Sequence, residues 1–285
     1  MIGGPPRYRG NFCAWCNASL TPHQTVTTKS CGAPKCERER TAELARAQTA
    51  RRAQEHEDLK TRLATEHAGQ IAAFSDRHDF PKTGARVMVT PFNGGTLAPV
   101  PEERLAGLEA HLIEVAAEGF AIEDPETLSW PTQRTSAVLP EPEAADAGCI
   151  TCQGGCCRPG GPSWGFIGKD EVCRYRIANP EATEADFVAY YLGHAPEQSI
   201  SGSCIFHTMA GCTMSREDRS TLCNTFLCRG VKTMLSERAR DGDAPTIVIG
   251  AENGEAFNLG AYAPGSGFLG TERVQERADA GEKAD

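Results

Sequence analysis

The stretch 149-CITCQGGCCRPGG-161 places four cysteines within nine residues. Two glycines between the second and third cysteines allow the backbone to fold tightly there. Adjacent side chains in an extended segment point in opposite directions, so Cys156 and Cys157 are not expected to serve one mononuclear tetrahedral site. A hydrophobic core does not require such an arrangement. The stretch therefore predicts two neighbouring metal sites or a polynuclear cluster.

The segment 204-CIFHTMAGCTMSREDRSTLCNTFLC-228 supplies four further thiols. The eight candidate ligands are Cys149, Cys152, Cys156, Cys157, Cys204, Cys212, Cys223 and Cys228. Cys173 lies between the two groups, and His207 is a further candidate, although the thiols already suffice. Eight thiolates can hold two zinc ions, or one iron–sulfur cluster with thiols left over. The spacing does not decide between these metals. Four arginines near the thiols are candidates to offset thiolate charge: Arg158, Arg216, Arg219 and Arg229.

Four more cysteines lie near the start of the chain, and none lies between Cys36 and Cys149. Cys13-x2-Cys16 and Cys31-x4-Cys36 are separated by fourteen residues, and two such pairs complete a tetrahedral thiolate site that suits zinc. This stretch resembles treble-clef-like zinc ribbons. All four positions of the metal would be filled by thiolates, so the site is expected to be structural. His23 lies in the intervening loop and is interpreted as a surface histidine.

Composition indicates the compartment and argues against some partners. The 285-residue chain carries thirteen cysteines, a net charge of −9 and no apolar run near the ~20 residues that span a bilayer. Its first residues lack the apolar core of a secretory signal. We therefore expect a cytoplasmic protein whose thiols bind metal ions and do not form disulfides. The negative charge argues against nucleic acid and anionic membranes as partners.

The predicted fold class is α+β, built from small metal-stabilised units around an irregular cysteine-rich metal-cluster domain. The predicted order is a zinc ribbon (1–38), a helical spacer (39–78), a small α/β segment (79–139), a linker (140–148), a cysteine-cluster metal-binding domain (149–232), a C-terminal hairpin and loop extension (233–270) and a disordered tail (271–285).

Several elements have clear sequence signals. Three helices are predicted: a long, solvated helix after Cys36, a helix over 102–119, and a helix from the Thr183/Asp186 capping box to Gly193. The helix over 102–119 carries Leu105, Leu108, Leu112 and Val115 on one face. We also predict a strand over 86–90 and a hairpin of 246–250 with 255–260 around Asn253-Gly254. The string 265-GSGFLG-270 fits G-x-G-x-x-G. A dinucleotide-binding loop needs a preceding strand and a following βαβ unit, so we interpret this match as coincidental.

The cysteine pattern resembles the YkgJ-type CxxCxxxCC family, described as zinc- or iron-chelating domains. The first box matches fully, and the second matches in outline from Cys204-Ile205-Phe206 through Cys212 to the run Arg219–Cys228. Two or three prolines and one arginine of the family pattern are missing from this run. The resemblance covers roughly residues 149 to 230. It implies metal chelation through the eight cysteines, and it extends to flagellin lysine methylases, which carry a similar cluster and use S-adenosylmethionine.

Three classes of function follow. The first is a metal-binding protein of the YkgJ type, without a defined reaction, that chelates zinc, an iron–sulfur cluster or both. The second is an iron–sulfur-dependent methyltransferase or redox enzyme, as the methylase resemblance implies. The third is an interaction module, in which the ribbon and its helix contact a protein partner. Residues 1–36 carry four basic residues and no acidic one, which is a thin basis for nucleic-acid binding.

Overall fold

The computed structural model describes residues 10–81, 83–127 and 142–274, with side chains from residue 144 onward in the last range. The chain divides into two compact units, residues 1–58 and residues 59–285. Helices and a mixed sheet occur together. The α+β class predicted from the sequence is therefore confirmed.

Helices make up much of the described chain. Their bounds are α1 Pro22–Thr27, α2 Pro34–Glu66, α3 Ala68–Arg77, α4 Glu102–Phe120, α5 Pro142–Cys152, α6 Lys169–Ala178, α7 Glu184–Gly193, α8 Thr221–Thr225 and α9 Arg229–Asp241. Short 3₁₀ helices cover Pro125–Thr127, Gly155–Gly160 and Trp164–Phe166. The helix predicted over 102–119 is confirmed as α4, with Leu108 and Leu112 fully buried.

The strands form one larger sheet and two short ladders. Their bounds are β1 Arg86–Pro91, β2 Leu97–Pro99, β3 Gln198–Ile200, β4 His207–Thr208, β5 Gly211–Cys212, β6 Thr246–Glu252, β7 Glu255–Ala263 and β8 Gly267–Arg273. The larger sheet has the order β1-β6-β7-β8, with β1 parallel to β6 and the other pairs antiparallel. β2 pairs with β3, and β4 pairs with β5, both antiparallel.

The predicted hairpin is confirmed as β6 and β7. Asn253 and Gly254 connect the two strands with φ values of 52° and 85°. A two-residue hairpin turn whose twist matches that of its strands requires positive φ at both central residues. The string 265-GSGFLG-270 runs from a turn into β8. A strand therefore stands where a phosphate-binding loop would need a helix.

Alternate residues of β1 and β6 face two different helical layers. Met88 and Val248 belong to a core cluster with α5 and α9, whereas Val89 and Ile249 belong to one with Leu63 of α2 and with α3. Burial on both faces is typical of parallel strand pairs. The strand β1 and the hairpin were predicted in separate segments, but hydrogen bonding joins them in a single sheet.

The predicted linker over 140–148 is helical from Pro142, because α5 begins there. Its alanines, Ala144, Ala145 and Ala147, are at most 1% exposed. Small side chains let a helix lie close to a sheet. A Cβ added to Gly260 of β7 would lie only 2.1 Å from Oγ1 of Thr151, which shows how closely the Thr151 side chain of α5 lies against β7. The linker was predicted from the prolines and glutamates of this run, whereas its alanines serve close packing.

A second core lies between α4, α6 and α7. Leu108, Leu112 and Val115 of α4 pack there with Phe187 and Tyr191 of α7.

The capping box predicted at the start of α7 is confirmed, because Thr183 Oγ1 accepts a hydrogen bond from Asp186 N–H and Asp186 Oδ2 accepts one from Thr183 N–H.

The long helix predicted after the first cysteines is present, but it is not solvated throughout. Leu44 is 57% exposed, as a solvated helix predicts. Leu63 and Phe74, by contrast, are fully buried against Val89 and Ile249 of the sheet. Sparse apolar residues therefore suffice to fix the second half of this helical stretch on the sheet.

Some predictions fall partly or wholly outside the described residues. The predicted disordered tail begins at 271, yet residues 271–273 belong to β8. The described part of the chain leaves out residues 1–9, 82, 128–141 and 275–285. In the part that is described, no helix is both long and apolar enough to cross a membrane.

Candidate metal centres

The four N-terminal cysteines converge on one point. The sulfurs of Cys13, Cys16, Cys31 and Cys36 all lie within 4.8 Å of one another, and those of Cys16 and Cys31 are 3.5 Å apart. Within the described residues, this is the one group of three or more histidine, cysteine or acidic side chains that meets this separation. Four sulfurs at this spacing can surround a single metal ion.

Local structure explains how the first pair is presented. Cys13 and Cys16 lie on a tight turn in which Asn17 has a φ of 59° and its N–H donates to the carbonyl of Cys13. The N–H of Cys13 donates in turn to the carbonyl of Ala18, 2.7 Å away. A bridge between Phe12 and Ser19 closes the turn. The turn holds both thiols on the same side of the chain.

The second pair is presented by the start of α2. Cys36 lies in the first turn of this helix and is 3% exposed, whereas Cys31 precedes it and is half-buried. Both pack with Leu20 and Trp15 in a small core. His23 lies on α1 with an exposed side chain. The four thiols therefore form the candidate site without it.

The pKa values of Cys13 and Cys36 are shifted in opposite directions. Burial acts to raise the pKa of Cys13, but the backbone amides of Trp15, Cys16 and Cys31 outweigh it and lower this pKa to about 6. The pKa of Cys36 rises to about 12, first through its contact with Cys16 and then through burial. One thiolate is thus favoured by the protein alone. Ionising all four requires a cation between them.

In the second half of the chain, helix α5 presents the first two thiols of the opening motif. Cys149 and Cys152 are three residues apart near its end, which places them on the same helical face. The chain then turns through Gln153 and Gly154, whose φ values are 51° and 78°. This turn brings the sulfur of Cys156 to 3.9 Å from that of Cys152.

The adjacent thiols lie on a 3₁₀ helix and not on an extended segment. Cys156 and Cys157 belong to the 3₁₀ turn Gly155–Gly160. Successive side chains on such a helix are about 120° apart, because it has three residues per turn. The extended conformation predicted from the sequence is therefore wrong, and the thiol of Cys157 lies close enough to that of Cys156 to raise its pKa.

A first thiol group gathers around the end of α5. Contact with Cys152 lowers the pKa of Cys156, but Cys157, burial and the charge of Cys149 outweigh this effect and raise it. The charge of Cys152 likewise acts to raise the pKa of Cys228. Cys228 is the N-cap residue of α9. Burial raises its pKa to about 11, although the amides of Val231 and Gly230 at the helix start oppose this rise. Burial, followed by the charges of Cys152 and Cys228, raises the pKa of Cys149 to about 12.

A second thiol group lies against the core between α4 and α7. Burial raises the pKa of Cys204 to about 12, and the charges of Cys212 and Cys223 add to this effect. The thiol of Cys223 donates to the carbonyl of Gly165 at 3.5 Å. Cys157 and Cys212 pack against the same core as Cys204. Cys156 and Cys157 thus lie where the two groups meet.

Cys173 belongs to neither group. It is fully buried on α6, and the charges that act on it after burial are those of Arg176, Asp170 and Lys169. Its thiol is best explained as part of the packing of α6. The nine cysteines of the second half thus divide into the two thiol groups and one core residue.

Among the four flanking arginines, Arg219 is the best candidate to offset thiolate charge. Burial lowers its pKa, but Cys212, Asp146 and Cys149 outweigh burial and raise it. Its guanidinium therefore acts on one thiol of each group. Arg158 instead pairs with Glu252 at 3.0 Å. Arg216 pairs with Asp146 at 2.8 Å.

His207 is buried between these groups. It lies on β4 directly opposite Cys212 of β5, and it is 2% exposed. Burial lowers its pKa to about 4, with the charge of Arg219 acting in the same direction. The backbone of Cys149, near the ring, opposes this shift. At neutral pH the ring is therefore uncharged.

Comparison with family models, curated proteins and solved structures finds no match to this chain.

Proposed function

We propose that the chain is a metal-binding protein with a structural zinc ion at the N-terminal cysteines. The observation that carries this proposal is the convergence of the sulfurs of Cys13, Cys16, Cys31 and Cys36 within 4.8 Å. Zinc suits four thiolates because it accepts tetrahedral sulfur coordination and brings no redox chemistry. With four protein ligands, no coordination position is left for a substrate. The ion would hold the first unit together.

We propose further that the cysteines of the second half form a second metal centre. Two groups of buried or half-buried thiols meet at Cys156 and Cys157, and the charge of Arg219 acts on one thiol of each group. Buried thiols without a cation stay protonated, whereas a metal makes thiolates of them. Two thiol groups accommodate two zinc ions, or an iron–sulfur cluster in one group with the remaining thiols available for zinc.

The proposed affiliation is the YkgJ-type CxxCxxxCC family, and it depends on the sequence motif. What supports it is that all eight motif cysteines fall into the two thiol groups, whereas Cys173, which the motif lacks, lies apart. Under this proposal the function is metal chelation, with the eight thiols as the binding machinery. The methyl-transfer alternative follows from the same resemblance alone and requires an S-adenosylmethionine site.

Purification without oxygen, followed by zinc, iron and sulfide analysis per chain and a visible spectrum, tests the proposal. A brown protein with iron and sulfide plus about one zinc would assign an iron–sulfur cluster to the second centre. A colourless protein with two or three zinc ions and no iron would make both centres zinc sites. A metal-free chain that keeps its fold would contradict the proposal.

A further inference from the structure

The side chain of His207 is a buried polar group without a hydrogen bond. Its ring is 2% exposed, and neither Nδ1 nor Nε2 has a hydrogen-bond partner among the described residues. Buried polar groups in folded proteins are nearly always hydrogen-bonded, and leaving one unpaired is costly. Two unpaired nitrogens on one buried ring therefore indicate a partner that is not a protein group.

The surroundings of the ring show which kind of partner fits. His207 and Cys212 are directly opposed on the antiparallel ladder of β4 and β5, which places their side chains on the same face. The backbone of Cys149, which belongs to the other thiol group, lies near enough to the ring to act on its pKa without a hydrogen bond to either nitrogen. A Cβ added to Gly154 would lie 3.2 Å from Cγ of the ring, so the glycine leaves room for it.

We propose that His207 coordinates the metal of the second centre through one imidazole nitrogen, on the side of Cys212. The inference depends on the proposed function, because it requires that this centre holds a metal. Imidazole nitrogen is a common ligand for both zinc and iron. A metal-bound histidine almost always donates its other N–H to a carbonyl, a carboxylate or water, and the backbone of Cys149 lies near the ring. Coordination would thus pair both nitrogens.

The alternative role is that His207 only donates a hydrogen bond to a metal-bound thiolate. Substitutions in the full chain separate the two roles. His207→Gln keeps a neutral hydrogen-bond donor of similar size, whereas His207→Cys supplies a different metal ligand. The matched control is His194→Gln, because His194 is partly exposed and lies near Asp218, at 3.9 Å.

The experiment is metal analysis combined with X-ray absorption at the metal edge. It uses full-length protein carrying Cys13→Ser and Cys36→Ser, so that the signal comes from the second centre. We expect a nitrogen ligand in the first shell, at about 2.0–2.1 Å if the metal is zinc. His207→Gln should release metal to a chelator about 10-fold faster or more, while His207→Cys should retain metal with an all-sulfur shell. His194→Gln should behave like the parent protein.

An all-sulfur shell in the parent, together with full metal retention by His207→Gln, would overturn the assignment of His207 and leave the second centre intact. A parent protein that carries no metal would overturn the second centre itself, and the assignment of His207 with it. The two failures are therefore distinguishable.

Discussion

The sulfur of Cys152 lies 3.9 Å from the sulfur of Cys156, across the left-handed turn formed by Gln153 and Gly154. This contact joins the last residue of α5 to the first thiol of the following 3₁₀ helix. Because Cys157 follows immediately, the same turn also sends a thiol toward the core that contains Cys204. One short segment thus supplies both thiol groups.

If the two thiol groups bind metal separately, each can be removed without the other. Cys149→Ala should lose the metal of the first group and keep that of the second, and Cys223→Ala should do the reverse. Cys173→Ala is the control, because this thiol lies in the core of α6. It should keep all metal and lower the free energy of unfolding by about 1 kcal/mol. Metal analysis per chain measures all three variants, and unchanged metal in Cys149→Ala would contradict the account.

The turn at Gly154 should not tolerate a side chain. Its φ is +78°, and an added Cβ would lie 2.0 Å from Oγ of Ser203. Gly154→Ala should therefore lose metal from the first thiol group and destabilise the fold by more than the backbone strain of about 1–2 kcal/mol. Gly202→Ala is the matched control, since Gly202 has a φ of +70° but no atom within 4 Å of the added Cβ. Denaturant unfolding measures the loss of unfolding free energy in both variants. Equal losses would show that the overlap with Ser203 does not add to the destabilisation.

The close approach of α5 to the sheet should appear as energetic coupling between Gly260 and Thr151. Gly260→Ala should lower the free energy of unfolding by about 1–3 kcal/mol, because the new methyl group overlaps the Thr151 side chain. Thr151→Ala removes that overlap along with the hydrogen bond from Thr151 Oγ1 to the carbonyl of Ala147. The double variant should be more stable than the sum of the single effects predicts, by about 0.5–3 kcal/mol. Strict additivity in unfolding experiments would mean that α5 does not lie on β7 as described.

The guanidinium of Arg219 should matter for metal retention. Its charge acts on both Cys212 and Cys149, so its loss leaves bound thiolates less compensated. Arg219→Gln should release metal to a chelator about 10- to 100-fold faster, the range seen for groups that support metal ligands. Arg158→Gln serves as the control, because Arg158 pairs with Glu252 and Asn93. Equal release rates for the two variants would exclude a special role for Arg219.

Local signals in the sequence predicted the regular elements well. The face of α4 with Leu108 and Leu112, the capping box at Thr183 and the Asn253-Gly254 turn all follow from short-range rules of periodicity, capping and backbone conformation. The N-terminal tetrad was also predictable, because paired cysteines at short spacing need little tertiary information to converge. Each of these features is determined by a few neighbouring residues.

Features that depend on distant residues were not predictable in this way. The pairing of β1 with β6 joins residues about 160 positions apart. The segment before Cys149 has the Pro, Glu and Ala content of a linker, and only the sheet beneath it explains why its alanines are buried. The division of the thiols into two groups likewise depends on where α9 begins at Cys228 and where Cys204 enters the core.

Native mass spectrometry of the full chain, purified without oxygen, tests the central claim most directly. The comparison is the parent protein against a variant with Cys13→Ser and Cys36→Ser, with His23→Ala as the control. We predict that the parent carries the mass of metal at both centres, that the double variant loses the mass of one zinc ion and keeps the rest, and that His23→Ala matches the parent. A parent whose mass equals that of the bare polypeptide, or a double variant that loses no metal, would contradict the account.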